Sequence, residues 1–113
     1  MHEIGMLYQT AKLATEYAEK NALDQIGFIS IDIGELSGAL PKVFEDYFPY
    51  VAEQFPKVQS ADLRLRVIPG EAMCDKCKCM YNVMKQEGIC PRCGCGDKTI
   101  ISGREVRLRN IGC

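Results

Sequence analysis

Four cysteines in two closely spaced pairs are the residues of this sequence best suited to chemistry. Each pair follows a Cys-x-x-Cys pattern, and twelve residues separate the first pair from the second. Such a pair closes a tight turn that directs two thiolates at one point, and the intervening loop brings the two turns together. Four sulfur ligands in a tetrahedron are the set that structural Zn(II) accepts. We therefore predict one zinc site formed by Cys74, Cys77, Cys90 and Cys93.

The residues around the two cysteine turns differ. Pro91 stiffens the second turn, and Gly94 follows it where a positive φ lets backbone N–H groups point at the sulfurs. Lys78 occupies the equivalent place after the first turn, so we expect that turn to be less favourable.

Other chemistries fit the same cysteines less well. A redox-active Cys-x-x-Cys belongs near a β-α-β pattern and occurs once, whereas here the motif occurs twice. An iron–sulfur cluster would also use four thiolates, but the spacing favours structural zinc. A closed shell of four thiolates leaves no open position for water, so the pattern disfavours catalytic zinc.

Three further cysteines carry weaker signals. Cys79 and Cys95 each lie two residues beyond a pair, which repeats the pattern Cys-x-x-Cys-x-Cys. Both are interpreted as thiols without a metal role, with exchange into the zinc shell or capture of a second soft ion as the alternative. Cys113 ends the sequence and indicates little by itself.

His2, the single histidine of the sequence, has a chemically special position. With a retained and free Met1, the terminal amine, the His2 backbone nitrogen and its imidazole form two fused chelate rings. Such a square-planar nitrogen set suits Ni(II) or Cu(II) far better than Mg(II) or Ca(II). Glu3 could add an oxygen donor. The alternative is a frayed terminal histidine with no role.

Composition limits the function classes. Among 113 residues, 47% are hydrophobic and 26% charged, and the formal net charge is −1. Residues 1–70 hold six Lys/Arg against ten Asp/Glu, while residues 71–113 hold eight against five. This basic excess is small and Tyr81 is the single aromatic between Cys74 and Gly103, so we expect no nucleic-acid binding.

The hydropathy pattern also bears on location. We expect no membrane insertion, because no apolar run approaches the roughly 20 residues that span a bilayer. The first residues do not resemble a secretory signal. Seven cysteines in a chain without such a signal indicate metal binding in a reducing cytoplasm rather than disulfides.

Apolar periodicity predicts two helices. The first begins almost at Met1, where apolar residues recur at steps of three and four. The second begins at Pro41, which suits a first turn, and Pro49 predicts a kink or a restart within it. The first apolar face consists of Ile4, Leu7, Ala11, Ala14, Ala18 and Ala22, and the second of Phe44, Tyr47, Phe48, Val51 and Phe55.

Two-residue alternation predicts three half-buried strands. Their apolar positions are Ile29, Ile31 and Ile33, then Leu63, Leu65 and Val67, and finally Val106 and Leu108. We therefore predict an α+β fold, with two helices packed on a three-stranded sheet and an inserted zinc-ribbon-like module of four cysteines. The predicted domains are 1–70 plus 103–113, which carries the possible N-terminal chelate, and the zinc module 71–102.

Several function classes follow from these residues. An enzyme is not indicated, because the sequence holds no activated nucleophile, no acid/base pair with histidine and no phosphate-binding loop. A zinc-ribbon module that binds only protein partners, and no nickel, is compatible with these residues. Monomer and homodimer are both compatible with the sequence, because the last strand could pair within its own chain or with a neighbour's.

Three motifs in this order resemble the HypA/HybF family of nickel metallochaperones. They are Met1-His2-Glu3 at the start of an amphipathic helix, the Ile-Gly-Glu-Leu-Ser-Gly segment at 33–38, and the spaced cysteine pairs. The resemblance covers essentially the whole chain. Two features depart from the family pattern: the additional Cys79 and Cys95, and Pro49, which is expected to break the second helix.

The resemblance to this family implies specific roles and partners. It implies nickel binding by Met1, His2 and Glu3, and structural zinc at the four paired cysteines. A nickel-handling maturation GTPase and the large subunit of a [NiFe]-hydrogenase are the implied partners, and some members also serve urease maturation. The expected activity is therefore transfer of nickel during hydrogenase maturation, without catalytic turnover.

Overall fold

The computed structural model describes residues 2–113, and Met1 and the side chain of His2 lie outside the described part. Within it the chain forms two helices and six strands, arranged in two sheets. In chain order the elements are α1 (His2–Lys20), β1 (Phe28–Gly34), α2 (Pro41–Ala52), β2 (Asp62–Ile68), β3 (Glu71–Cys74), β4 (Met80–Asn82), β5 (Lys98–Ser102) and β6 (Val106–Gly112).

The main sheet consists of the three longest strands. Its strand order is β2-β1-β6, so β1 is its central strand. β1 runs parallel to β2 and antiparallel to β6. Parallel neighbours need a crossover connection, and α2 lies in the one between β1 and β2. The predicted α+β fold, with helices on a three-stranded sheet, is confirmed for residues 2–113.

The main core lies between one face of this sheet and the two helices. Ile29, Ile31 and Ile33 of β1 are almost completely buried there. Leu7 of α1 and Phe44 of α2 are also inaccessible and belong to the same cluster. Steps of three and four residues place such side chains along one helix face, which is the stripe that the sequence indicates.

The predicted helix faces need three corrections. α1 ends at Lys20, and Ala22 beyond it is exposed at a φ of 53° rather than part of the apolar face. Tyr47 is half-exposed instead of buried. Phe55 lies after α2, although it still packs against the core. Its ring meets the ring of Tyr8 edge-on, with the two ring centroids 5.1 Å apart.

The expected break at Pro49 does not occur. α2 continues through Pro49 to Ala52, and the N–H of Glu53 donates to the Pro49 carbonyl at 3.2 Å. Phe48 and Val51 on either side of it are buried in the main core. Burial of this apolar stripe outweighs the hydrogen bond that a proline cannot donate.

β1 is buried on both faces, rather than half-buried as its alternating pattern predicts. Ser30 and Asp32 point away from the isoleucines, yet they are only 6% and 7% exposed. A central strand has neighbours on both sides, and Arg66 of β2 donates two hydrogen bonds to the Asp32 carboxylate. The long cross-strand side chain covers the polar face of the strand.

The cysteine module contains a second sheet that the hydropathy pattern did not predict. Its strand order is β4-β3-β5, and its three strands have three to five residues each. Strands of this length contain too few alternations to reveal a two-residue period. The module therefore has a framework of its own between β2 and β6.

Polar and glycine contacts join the module to the main sheet. The carboxylate of Glu35, just after β1, accepts hydrogen bonds from the Gly70 N–H at 2.9 Å and the Asn82 side chain at 3.2 Å. Gly103 has a φ of 84°, and a Cβ there would lie 2.6 Å from the Gly70 Cα. The two segments that connect the main sheet to the module, at Gly70 and at Gly103, are therefore in direct backbone contact.

Candidate metal centre

The four paired cysteines meet at one point of the module. Their sulfur atoms all lie within 4.8 Å of one another. Cys74 Sγ is 3.5 Å from Cys93 Sγ, and Cys77 Sγ is 3.5 Å from Cys90 Sγ. A tetrahedron with Zn–S bonds of about 2.3 Å has sulfur-to-sulfur edges of ~3.8 Å, so the cluster has the size of a Zn(II) shell. Each short contact joins one cysteine of the first pair to one of the second.

The two cysteine turns have the same backbone structure. The Cys74 N–H donates to the Cys79 carbonyl at 2.8 Å, and the Cys90 N–H donates to the Cys95 carbonyl at 3.0 Å. Within the first turn, the N–H of Lys78 bonds back to the Cys74 carbonyl at 2.9 Å. In the second turn the N–H of Gly94 makes the matching bond. The repeated Cys-x-x-Cys-x-Cys pattern thus encodes one local structure twice.

The position after each pair has a left-handed backbone, as expected for Gly94. Gly94 has a φ of 78°, and Lys78 has a φ of 66° in the equivalent place. A side chain with a Cβ adopts this conformation at a cost of roughly 1–2 kcal/mol. The first turn therefore carries backbone strain that the second avoids, in agreement with the sequence analysis.

Backbone N–H groups favour the thiolate at the first cysteine of each pair. The N–H groups of Cys77 and Lys76 donate to Cys74 and lower the pKa of its thiol, against the effect of burial. Cys90 receives the corresponding bonds from Cys93 and Arg92, and its pKa is also lowered. Such hydrogen bonds stabilise negative sulfur before any metal arrives.

The second cysteine of each pair behaves in the opposite way. The N–H of Cys79 donates to Cys77 and favours its thiolate, but burial and the neighbouring Cys90 and Cys74 sulfurs outweigh this and raise the pKa of Cys77. The same balance raises the pKa of Cys93. Four thiolates this close repel one another, so a cation that neutralises them releases protons as it binds.

Cys79 and Cys95 lie beside the centre, outside the four-sulfur cluster of the described residues. Both side chains are half-buried and pack against the small apolar cluster of the module. Their backbone groups close the two turns, and the Cys79 thiol donates to the Met80 carbonyl at 3.5 Å. Cys113 is exposed at the end of the chain.

Tyr81 has a structural role that the motifs of the sequence did not indicate. Its ring is 5% exposed and forms one cluster with Ala72, Cys74 and Cys90, while its hydroxyl donates to the Gly88 carbonyl at 3.3 Å. Burial, followed by the charge of nearby thiolates, raises the pKa of Tyr81. Because Tyr81 is the one aromatic between Cys74 and Gly103, its role as the core of the module could have been inferred.

The predicted nickel ligands lie at the other end of the sequence. Met1 and the His2 side chain are outside the described residues. Glu3 is described and is 7% exposed, and its Oε2 accepts a hydrogen bond from the Leu40 N–H at 3.3 Å. Leu40 is the residue before α2 and provides no side-chain cap of its own. The carboxylate therefore caps the positive end of α2, a role that the sequence did not indicate.

The fold and the cysteine cluster place this chain in a class of small proteins. In this class, a two-layer α+β unit carries a four-cysteine ribbon with a candidate metal-binding centre. Across residues 2–113, no helix is both long and apolar enough to cross a membrane.

The chain belongs to the HypA family, because the family model described as "Hydrogenase/urease nickel incorporation, metallochaperone, hypA" matches residues 1–113. The family description names a metallochaperone, so the prediction that the protein is not an enzyme is confirmed.

Individual relatives agree with this assignment. Hydrogenase maturation factor HypA of Nostoc sp. strain PCC 7120 is 30% identical over 111 residues, covering 98% of this chain and 94% of the relative. Two solution structures share the fold. That of the Ni metallochaperone HypA from Helicobacter pylori has a TM-score of 0.67 at 24% identity, covering 97% of this chain and 95% of the other. A solution structure of HypA protein has a TM-score of 0.73 at 26% identity, covering 99% and 95%.

Proposed function

We propose that this protein binds Ni(II) at its N-terminus and delivers it during the maturation of [NiFe]-hydrogenase. The observation that carries the proposal is the match of the nickel-incorporation family along residues 1–113. Relatives named hydrogenase maturation factors, which cover nearly the whole chain, support the choice of hydrogenase as the final recipient.

Met1, His2 and Glu3 are the proposed nickel ligands. The Met1 amine, the His2 backbone nitrogen and the His2 imidazole form a nitrogen-rich set that suits Ni(II). α1 begins at His2, and the first N–H groups of a helix have no acceptor within that helix. The His2 amide is thus among the backbone nitrogens that can lose a proton without breaking α1. Glu3 would add a carboxylate oxygen while its Oε2 accepts the Leu40 N–H.

The four clustered cysteines would hold structural Zn(II) in the same protein. Their number, softness and separation fit a closed tetrahedral shell, in which zinc supplies folding energy rather than chemistry. We propose that residues 71–102 form this zinc module and that residues 1–70 with 103–113 form the nickel-binding unit. The separate apolar clusters of the two parts support that division.

The proposed partners follow from the family's role. They are a nickel-handling maturation GTPase, the hydrogenase large subunit and, in view of the family description, urease maturation proteins. We place these encounters in the cytoplasm, where the seven free thiols of the chain stay reduced.

A calorimetric Ni(II) titration of tag-free, zinc-loaded protein tests the nickel site. We expect near-stoichiometric binding that is lost in His2→Ala and retained in Lys12→Ala, a change on the exposed surface of the same helix. Equal binding by the wild type and His2→Ala would move the site to the cysteines. That result would favour a zinc-ribbon module that binds proteins without transferring nickel.

The pH dependence of the same titration provides a second check. Amine, amide and imidazole must lose protons to bind, and the reference pKa of a histidine side chain is ~6.5, so nickel affinity should fall from neutral to mildly acidic pH. An affinity that stays constant over this interval would contradict the proposed ligand set.

A further inference from the structure

The face of the main sheet that points away from the helices is lined with arginines. Strand alternation puts Asp32 on the face opposite the buried isoleucines of β1. The register then places Arg66 of β2 and Arg107 of β6 on either side of Asp32. Arg64 and Arg109 continue these two rows toward the other end of the strands, and all four arginines are exposed.

Carboxylates on this face pair with the β2 row. Asp32 accepts bonds from Arg66 Nε at 3.0 Å and from Arg66 Nη2 at 2.8 Å. Asp62 accepts one bond from Arg64 Nε at 3.2 Å and is itself largely exposed. Arg104 and Glu105 lie at one end of the same surface. With them, five guanidinium groups face three carboxylates, so the surface keeps a net charge of +2 on a protein of net charge −1.

The β6 row supplies the excess charge. Neither Arg107 nor Arg109 forms an ion pair with a carboxylate of the described residues. Ser30 pairs with Asn110 and Ile31 with Leu108, so Arg109 is the extra residue of a bulge, a feature that redirects side chains. Hydrogen bonds from Arg66 lower the pKa of Asp32 against burial, and the charges of Arg109 and Arg107 lower it further.

These side chains line two adjacent hollows, which together are called the groove. A hollow of about 510 Å³ is lined by Asp32, Arg66 and Arg107 and extends to Ser102 of the module strand β5. A second hollow of about 330 Å³ also contains Asp32 and Arg66 and extends to Arg109. The shared residues join the two hollows along the strand direction.

We propose that this groove binds an acidic segment of a partner protein in an extended conformation. Alternate side chains of an extended chain are about 6.8 Å apart, the spacing of Arg64 and Arg66 along their own strand. A guanidinium group binds a carboxylate through two parallel hydrogen bonds, which favours arginine over lysine for this task. Arg107 and Arg109 offer such bonds without first losing an internal partner.

The same surface fits an acidic polypeptide better than a nucleic acid. Bases need aromatic platforms, and the ring of Phe28 at this face is covered by the guanidinium carbon of Arg64, 4.1 Å from its centroid. Asp32 and Asp62 also interrupt the positive field that a continuous phosphate backbone would need. Isolated carboxylates on a flexible strand can instead align with individual arginines.

Binding of a short fluorescent peptide of alternating Glu and Ser to zinc-loaded protein at low ionic strength tests the proposal. We expect the double variant Arg107→Gln with Arg109→Gln to weaken peptide binding by roughly tenfold or more. The matched double variant Lys12→Gln with Lys20→Gln removes the same charge from exposed positions of α1 and should bind nearly as well as the wild type.

Three outcomes would overturn the proposal. Equal weakening in the two double variants would indicate attraction by net charge alone. Comparable binding of a Gln-Ser peptide would exclude carboxylate recognition, and tighter binding of a single-stranded oligothymidylate would assign the groove to nucleic acid. The Ni(II) titration of both double variants should match the wild type, so failure of this proposal is distinguishable from failure of nickel binding.

Discussion

At the residue scale, one backbone position separates the two halves of the cysteine centre. Lys78 and Gly94 occupy equivalent places and both have a positive φ, but only glycine accepts that conformation without a cost. The Lys78 side chain donates to the Asp75 carbonyl at 3.0 Å. This hydrogen bond is exposed to solvent, so it offsets little of the backbone strain at Lys78. The natural sequence therefore leaves one turn strained.

We expect Lys78→Gly to stabilise the zinc-loaded protein by about 0.5–1 kcal/mol, because the relief of strain exceeds the added flexibility of the unfolded chain. Gly94→Ala should destabilise it by about 1 kcal/mol. A Cβ at Gly94 meets nothing within 4 Å, so that cost is conformational rather than steric. Urea unfolding of the zinc-loaded proteins measures both values.

Lys76→Gly is the control for this pair. Lys76 lies in the same turn without a positive φ, so glycine there should lower stability. A gain in stability at both lysines would show that strain at residue 78 is not the cause.

At the element scale, α2 combines favourable and unfavourable features. Pro41 stands at the start, where its fixed φ suits a helix, and the Glu3 carboxylate accepts the N–H of the residue before it. Pro49 stands inside, where it cannot donate to the Glu45 carbonyl. The helix persists because Phe44, Phe48 and Val51 bury one face.

We expect Pro49→Ala to raise the free energy of unfolding by about 1–2 kcal/mol, since the recovered hydrogen bond exceeds the entropy gained by the unfolded chain. Pro41→Ala should instead be neutral or lower stability by roughly 0.5 kcal/mol, because proline is favoured at a first turn. Thermal unfolding of the two variants compares them directly. Equal changes in the free energy of unfolding would mean that the position of a proline within α2 does not affect stability.

At the scale of the whole molecule, two apolar clusters of different size share one chain. The larger one fills the space between the main sheet and the helices, whereas the module packs Ala72, Tyr81 and two cysteines around its centre. A cluster this small stabilises little by burial, so the proposed zinc ion would supply much of the module's stability.

Removal of zinc with a chelator should therefore unfold residues 71–102 and leave most of the main unit protected. Hydrogen exchange measured by mass spectrometry should show rapid exchange in β3, β4 and β5, with α1 and β1 still slow. Cys90→Ser should reproduce this result, whereas Cys79→Ser should retain protection because its sulfur lies outside the cluster. Simultaneous loss of protection throughout the chain would contradict two separate units.

Local features could be predicted because they depend on neighbouring residues. The spacing of the cysteines defines each turn, including the left-handed position at Gly94. The steps between Leu7, Ala11 and Ala14 indicate α1 over most of its length, and the alternation in β1, β2 and β6 is visible without a partner strand. The predicted end of α1 is wrong, because Ala22 continues the apolar pattern although the helix ends at Lys20.

Properties of local spacing could therefore be predicted from the sequence: the clustering of four cysteines, two helices, three strands and the family resemblance. Three other features became visible in the folded chain: Ser30 and Asp32 are buried, Glu35 joins the main sheet to the module, and arginines from β2 and β6 face one groove. These features join residues far apart in the chain. They depend on strand order and register, which hydropathy patterns do not specify.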